Sequence, residues 1–409
     1  MPNSDSNPIY ALMNQALSSF FTFGVLILAS RALPTNEFGI YSLLVLTLAL
    51  FSLAPQAFVF MPMMSMSKDF SSLNLRIYSD FLILCLMLLI SLGVGIVLYY
   101  FNLTSVGEYV SLGSLICWVV SFQGHEFLKR VLYISDRHRA LVLYEIVKLV
   151  GAILALALLY FWHGKLDIDV ILIGTSVGYL CFSCIAISRA DFPTSFTINP
   201  IGTFAKNFAF GKWIFLGNGI SYFQNNFFVF VTALLLPLET VAGLNAVRSL
   251  IGFSTVIFLA IDNYLAPKLA GVYQSEGLEN LINKVISFYL RSGWIIAVIY
   301  VGIGLFSENL VTMIFGERYA DSSVYLNYFL VVSFLGFMAR PFLILSRTIH
   351  ATKIIFWGSV GPAIFALVFS YPLIFTYGDI GAVSMAVLGS LLFLVSLAVC
   401  FWNYTITAD

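Results

Sequence analysis

Long apolar runs follow one another along the whole chain, and short segments between them carry most of the polar residues. An α-helix rises about 1.5 Å per residue, so about 20 residues cross the hydrocarbon core of a bilayer. The runs predict transmembrane helices at roughly 11–30, 39–61, 80–101, 108–124, 141–162, 169–188, 213–236, 240–263, 284–306, 322–345, 354–377 and 380–403. This pattern is typical of an all-α polytopic membrane protein with about 12 transmembrane helices.

The composition supports this prediction and limits what the chain can do. Of the 409 residues, 60% are hydrophobic and 10% are charged, whereas a soluble domain is roughly 45–50% apolar and about 25% charged. The formal net charge is zero, so nucleic acid is not an expected partner. Cys181 and Cys184 have CxxC spacing within an apolar run, but no second ligand pair accompanies them. We interpret them as inert thiols and expect no metal site.

The basic residues are distributed unevenly between the two sides of the predicted membrane. The longer loops, together with the short loop 346–353, carry thirteen of the twenty lysines and arginines, and the opposite loops carry three. Lysine and arginine concentrate in cytoplasmic loops of membrane proteins. We therefore expect the longer loops and both termini to be cytoplasmic, in a protein of the plasma membrane.

The two halves of the chain share a pattern of helix breakers. The first half contains Asn14, Pro34, Gly39 and Pro62, at successive steps of 20, 5 and 23 residues. The second half contains Asn218, Pro237, Gly243 and Pro267, at successive steps of 19, 6 and 24 residues. This indicates two six-helix pseudo-symmetric lobes, residues 1–200 and 201–409. Repeated halves of this kind favour a transporter with a central site between two lobes.

Signatures of enzymes and of cofactor binding are missing from the sequence. It contains no P-loop, HExxH or GxSxG motif, and its four histidines fall in predicted loops or at helix ends. We therefore expect no enzymatic activity and no cofactor. Embedded acidic residues are scarce: Glu145 is the clearest case, and Asp80 and Asp262 fall at helix ends. Coupling to a proton or sodium gradient is open, with little support from these few carboxylates.

Four basic residues fall within predicted spans, where each costs about 2.5–3.5 kcal/mol near a helix centre. Lys148 lies three residues after Glu145 and can pair with it. Arg291 and Arg340 lie close enough to a cytoplasmic end to extend towards the headgroups. Arg248 has no acidic neighbour in sequence and lies near mid-depth. We therefore expect Arg248 to face a polar cavity.

Neutral polar residues form stripes on the first and seventh predicted helices, which are equivalent in the repeat. Such stripes either hydrogen-bond neighbouring helices or line a cavity. Amides and hydroxyls would suit a sugar, and the basic residues would suit a phosphate. The residues concerned are Asn14, Ser18 and Thr22 in the first helix, and Asn218, Ser221, Tyr222 and Asn225 in the seventh.

Two segments resemble a known family. The first turn, LASRALPTNEFGIYSLLVL, is similar to the Arg-x-Leu-Gly-Pro-x-x-Phe/Tyr-Gly-x-Tyr segment of bacterial polysaccharide flippases. In the second half, the segments FGKWIFLGNGISYFQNNFFVFVTALLLPLETVAGLNAVRSLIG and NYLAPKLAGVYQSEG resemble the same family. These are the Wzx-type O-antigen and exopolysaccharide flippases of the multidrug/oligosaccharidyl-lipid/polysaccharide exporter superfamily. The resemblance extends over essentially the whole chain.

The resemblance implies a flippase of the bacterial inner membrane that works by alternating access. Its cargo would be a polyprenyl-pyrophosphate-linked oligosaccharide. It would be surrounded by membrane lipids, and other polysaccharide-assembly proteins would be its partners. A cationic central cavity is also implied, with Arg31 matching the first-turn arginine of the family and Arg248 as the main cavity residue. The chain departs from the family in having no charged residue in its seventh helix. It also lacks the two C-terminal helices of peptidoglycan-precursor flippases.

Three functions remain as hypotheses from the sequence. The first is a flippase for lipid-linked oligosaccharides such as O-antigen units, with Arg248, Arg31, Lys148, Arg291, Arg340, Asn14, Asn218 and Asn225 as candidate binding residues. The second is an ion-coupled exporter of drugs or small molecules from the same superfamily, which would need a functional carboxylate. The third is a membrane polysaccharide polymerase, which would need an extended external loop that this sequence lacks.

Overall fold

The computed structural model of the chain describes residues 8–66, 77–100, 108–135, 137–189, 199–349, 351 and 353–408. In these residues the secondary structure is helical, without β-strands. The twelve long helices are α1 (Pro8–Ala32), α2 (Thr35–Phe51, continued to Met66), α3 (Ile77–Tyr100), α4 (Leu112–Ile134), α5 (His138–His163), α6 (Ile168–Arg189), α7 (Pro200–Leu235), α8 (238–276), α9 (278–305), α10 (Ser323–Thr348), α11 (353–377) and α12 (379–408). The predicted all-α class is confirmed.

Prolines and glycines separate these helices where the chain must turn without a long loop. Pro34 precedes α2 and Pro237 precedes α8, and the two have nearly the same extended backbone, with φ/ψ of −54°/152° and −57°/148°. Gly277 lies between α8 and α9 with φ 80°, and Gly378 lies between α11 and α12 with φ 60°. Positive φ strains residues with a side chain, so glycine suits these two turns. The proline pair gives the predicted repeat the same local turn in each half.

The apolar surface of the helices is what a lipid environment requires. On α5, Leu154, Leu158 and Phe161 are 58%, 69% and 90% exposed. A soluble monomer rarely leaves such a continuous apolar face in water. Among the described residues, eight helical stretches are long and apolar enough to cross a membrane, and they include α1, α2, α3, α5, α6, α9, α10 and, as one stretch, α11 with α12. The protein is therefore a multi-pass membrane protein.

Helix α4 differs from the prediction at both ends. The sequence predicts a span over 108–124, whereas α4 covers Leu112–Ile134. His125, Lys129 and Arg130 are consequently helical, whereas the predicted span places them in a loop whose basic residues contribute to the charge bias. His125 and Lys129 are buried, and Arg130 pairs with Glu126 at 3.0 Å. The helix continues through these polar residues, and carboxylates lie close to each of them. His350 lies outside the described residues.

Helix α7 also begins earlier than the predicted 213–236. Asn199 caps its start, where the side-chain Oδ1 accepts a hydrogen bond from the Gly202 amide at 2.9 Å. A capping asparagine followed by proline at the first helical position is a common helix start. Further along, the Asn207 side chain donates to Asp80 at 2.8 Å, and both residues are fully buried. The Asn207–Asp80 hydrogen bond holds the added turns of α7 against α3.

The chain divides into two compact units, Met1–Leu216 and Gly217–Asp409, and the division falls within α7. The predicted boundary between residues 200 and 201 lies at the beginning of this helix. In the N-terminal unit, α5 and α6 approach closely because Gly178 has no side chain: a Cβ there would lie 2.7 Å from the Lys148 carbonyl oxygen. In the C-terminal unit, the Phe337 ring packs between Phe258 and Tyr289, with centroids 5.0 Å away on each side.

Replacing Gly178 with alanine should destabilise the N-terminal unit. The new methyl group would press on Lys148 and on Ala152, whose Cβ would lie 2.8 Å away. Overpacking of this kind typically costs about 1–3 kcal/mol. Gly24→Ala is the matched control, because a Cβ at Gly24 meets nothing within 4 Å. Denaturant unfolding in mild detergent should show a lower midpoint for Gly178→Ala only, and equal midpoints would contradict the close approach.

Candidate functional site

Polar side chains on the membrane helices gather in one cluster in each unit. In the C-terminal unit, four helices, α7, α8, α10 and α12, enclose a cavity of about 410 Å³. Its wall combines apolar residues with neutral polar groups and two arginines. The polar residues of the wall are Ser221, Gln224, Asn225, Arg248, Thr255, Ser333, Arg340 and Ser390.

Arg248 lines this cavity and has one donor without an acceptor among the described residues. Its Nη2 donates to the Asn226 side-chain oxygen at 2.9 Å, and its guanidinium carbon lies 6.0 Å from the centre of the Phe228 ring. Nη1 is buried, and no group in the described part of the chain hydrogen-bonds to it. A buried donor without an acceptor is costly. An anionic ligand in the cavity would supply the missing acceptor.

Arg340 lines the same cavity in a different charge environment. Its Nη1 forms an ion pair with Asp262, a residue on α8 that is 8% exposed. The Tyr289 hydroxyl donates to the other oxygen of Asp262 at 2.8 Å. On another side, the Arg340 guanidinium carbon lies 5.0 Å from the centre of the Phe258 ring. Arg340 is thus neutralised by Asp262, and Arg248 is the arginine of the cavity without a carboxylate partner among the described residues.

The other candidates of the C-terminal unit differ in whether they line the cavity. Asn225 lines it, although its side-chain nitrogen also donates to the Ser221 carbonyl at 2.7 Å. Asn218 is half-buried on α7 and is not among the lining residues. Arg291 is exposed on α9, also outside the lining. Of the candidate residues in this half, the structure therefore brings together Asn225, Arg248 and Arg340.

The second cluster centres on Glu145 in the N-terminal unit. The Glu145 side chain is fully buried, and three basic side chains surround its carboxylate. Lys148 pairs with it from the same helix, as the spacing of the two residues allows. From α4, Lys129 approaches to 3.3 Å and the His125 Nε2 to 3.4 Å. The single negative charge of Glu145 therefore faces more basic groups than it can neutralise.

The imidazole of His125 lies between two carboxylates. Its Nδ1 is 3.7 Å from Glu126, and its Nε2 faces Glu145. Neither ring nitrogen makes a hydrogen bond within the described part of the chain. The rings of Tyr179 and Phe182 enclose the imidazole at 5.0 and 4.5 Å between centroids. A proton on either nitrogen would therefore point towards a carboxylate oxygen.

The remaining candidates of the N-terminal unit have distinct positions. Lys148 belongs to the Glu145 cluster, and its ammonium lies 4.7 Å from the centre of the Phe21 ring. Asn14 is fully buried and donates to the Tyr133 hydroxyl on α4. Arg31 is exposed in the last turn of α1. Sequence reasoning missed His125 and Lys129, although their spacing of four residues would have placed both on one face of a helix.

Solved structures of transporters match this chain along almost its full length, whereas no family model and no curated protein matches its sequence. An inward-facing multidrug resistance MATE family transporter of the MOP superfamily matches with a TM-score of 0.72 at 11% identity, over 97% of this chain and 98% of that chain. A mutant of the Vibrio cholerae MATE transporter VcmN matches with a TM-score of 0.58 at 14% identity, over 98% and 97%. The chain has the MATE fold.

The lipid II flippase MurJ, in an inward closed conformation, shares this fold. It matches with a TM-score of 0.66 at 14% identity, over 96% of this chain and 87% of the MurJ chain. Part of MurJ therefore has no counterpart here. The MATE and MurJ structures agree with the predicted twelve-helix, two-lobed architecture. At such low identity the likeness concerns the fold, and the cargo must be inferred from the residues of this chain.

Removing the charge of Glu145 should destabilise the protein strongly. Glu145→Gln leaves Lys129 and Lys148 buried without a carboxylate, and breaking a buried ion pair typically costs about 3–5 kcal/mol. Glu276→Gln is the control, because Glu276 pairs with Lys284 at 2.5 Å on the surface, where 38% and 52% of the side chains are exposed. Surface pairs contribute about 0–1 kcal/mol. Equal unfolding midpoints for the two variants would refute a buried charge cluster.

Proposed function

We propose that this protein is a Wzx-type flippase that translocates polyprenyl-pyrophosphate-linked oligosaccharide units, such as O-antigen units of lipopolysaccharide, across the bacterial inner membrane. The unit would pass from the inner to the outer leaflet by alternating access. The observation that carries the proposal is Arg248, an arginine that lines the C-terminal cavity without a carboxylate partner among the described residues and has a buried, unpartnered Nη1. The fold shared with the MATE and MurJ transporters supports membrane transport rather than enzymatic turnover.

The chemistry of the cavity suits such a cargo. A pyrophosphate carries about two negative charges and cannot enter hydrocarbon without compensation. A guanidinium offers paired donors to phosphate oxygens, and it keeps its charge when it is buried. The neutral groups of Gln224, Asn225 and Ser390 in the same wall would hydrogen-bond sugar hydroxyls. Arg248 would then hold the diphosphate and these neighbours the first sugars.

The direction of transport follows from the expected orientation. With both termini and the longer loops in the cytoplasm, the cargo would be loaded from the cytoplasmic leaflet. An inside-negative membrane potential favours outward movement of an anion by about 2.3 kcal/mol per charge for each 100 mV. Polysaccharide-assembly proteins on either face of the membrane would supply and consume the lipid-linked unit. The proposal requires no cofactor.

Arg248→Gln should abolish or strongly reduce translocation. The substitution removes a hydrogen-bonded charge, whose interaction with an anion is worth about 1.5–3 kcal/mol, so we expect a loss between about 10- and 100-fold. Surface glycan would be measured by complementation of a flippase-deficient strain at matched membrane levels of protein. Arg291→Gln is the matched comparison, because Arg291 is exposed and outside the cavity lining, and we expect it to support normal glycan.

Two results would contradict this proposal. One is normal surface glycan from Arg248→Gln at wild-type protein levels. The other is an equal loss from Arg248→Gln and Arg291→Gln, which would indicate a general effect of removing arginine rather than the loss of a binding group.

A second candidate function is an ion-coupled exporter of small molecules, and the Glu145 cluster favours it. His125 lies between two carboxylates, and an imidazole is a group that can bind and release a proton. We propose proton coupling at this cluster as the alternative use of the fold. It does not need an anionic lipid, and Arg248 would have no specific role in it.

An imposed pH gradient distinguishes the second candidate. Proteoliposomes containing the protein should export a cationic dye such as ethidium only when the gradient is present, and His125→Gln should abolish that dependence. His163→Gln is the control, because His163 lies exposed at the end of α5. Dye transport that is unaffected when the gradient is collapsed, or the same gradient dependence in His125→Gln, would exclude proton coupling at this cluster.

A further inference from the structure

Arg340 is held in the wall of the C-terminal cavity by a residue that lies behind it. Arg340 lines the cavity, whereas its ion-pair partner Asp262 is not among the lining residues. Both oxygens of the Asp262 carboxylate are used, one by Arg340 Nη1 and the other by the Tyr289 hydroxyl at 2.8 Å. Each oxygen of Asp262 thus already accepts a donor from the protein, one from α10 and one from α9.

The anchor around Asp262 is rigid because three helices contribute to it. Tyr289 on α9 is 1% exposed, and its ring packs against Phe337 of α10 with centroids 5.0 Å apart. Phe258 of α8 contacts the same Phe337 ring at 5.0 Å and also lies 5.0 Å from the Arg340 guanidinium carbon. The Arg340 head is thus fixed between a carboxylate and an aromatic ring. Few alternative rotamers remain for it.

Fixing one nitrogen of a guanidinium leaves its other donors available. An arginine head has five N–H donors in one plane, and Asp262 binds Nη1 of Arg340. Arg248 is held in a similar way by a neutral partner: Asn226 binds its Nη2 at 2.9 Å and leaves Nη1 unpartnered among the described residues. The cavity therefore contains two arginines, each oriented through one nitrogen by an acceptor on a neighbouring helix.

We propose that Asp262 is a positioning residue that orients Arg340, so that Arg340 and Arg248 bind one phosphate or diphosphate group together. This proposal rests on the proposed function and deepens it, because it names the group of the cargo that this cavity holds. The anchor reduces the side-chain freedom that Arg340 would otherwise lose on binding. Since Asp262 also compensates Arg340, the two arginines and their anchors carry one net positive charge instead of two.

Binding of inorganic pyrophosphate to the purified full-length protein in detergent tests this proposal, with titration calorimetry at constant ionic strength. Asp262→Asn keeps the shape of the side chain but loses the charge that orients Arg340. We expect affinity to fall about ten-fold, which corresponds to about 1.4 kcal/mol and to the cost of ordering one long side chain. Lys284→Gln, on the exposed Lys284–Glu276 pair, is the control and should bind as the wild type does.

The double variant Asp262→Asn with Arg340→Gln separates positioning from simple stability. Each single substitution leaves a buried charge uncompensated and should lower the unfolding midpoint, and the double variant should recover it. Under our proposal the recovered protein still binds pyrophosphate weakly, because the second arginine is missing. If stability and affinity both return to wild-type values, Asp262 and Arg340 have a structural role only and the proposal is overturned.

The remaining outcomes distinguish this inference from the proposed function. If the wild type binds pyrophosphate, Arg248→Gln does not and Asp262→Asn still does, the phosphate cavity is supported and the role of Asp262 is overturned. Wild-type protein that does not bind pyrophosphate at millimolar concentration overturns both. If Asp262→Asn binds pyrophosphate more weakly, and the double variant recovers its stability but not its affinity, both proposals are supported.

Discussion

A charged group inside a bilayer must have a partner, and this requirement accounts for how the polar residues of the chain are arranged. Hydrocarbon provides no water to solvate an ion, so each embedded charge is paired, extends to the membrane surface or borders a polar cavity. Glu145 and Asp262 are almost completely buried, and both are surrounded by donors from neighbouring helices. Arg248 has a neutral amide as its partner instead of a carboxylate. That difference is the basis of our proposal that the C-terminal cavity binds an anion.

Much of the fold could be predicted because hydrophobic length determines it. Nine of the twelve helices begin and end close to the apolar runs, and prolines together with Gly277 and Gly378 account for several ends. Helix α8 continues to residue 276, past the predicted end at 263. Helices α4 and α7 extend further than predicted because hydropathy treats His125, Lys129 and Asn207 as signs of a loop. In the folded protein these side chains bind buried carboxylates, so they belong to helices.

The candidate site could be predicted only in part, since partners distant in sequence leave no local pattern. Arg248 was distinguished by the absence of an acidic neighbour, and the structure places it at a cavity. The pairing of Arg340 with Asp262, 78 residues apart, could not be read from spacing. From the sequence, Arg340 lies close enough to a cytoplasmic helix end for its side chain to extend to the headgroups, and that is the position expected for it. Exposure likewise separates Arg291 from the cavity.

The charged face of α4 has a consequence for how the protein is made. Among the described residues, α4 is not one of the stretches apolar enough to cross a membrane by its own composition. Charged residues oppose the insertion of an isolated helix into lipid. Glu145, which compensates Lys129 and His125, arrives with α5 immediately after α4 in synthesis. It follows that the two helices enter the bilayer favourably as a hairpin, in which each supplies the charges that the other lacks.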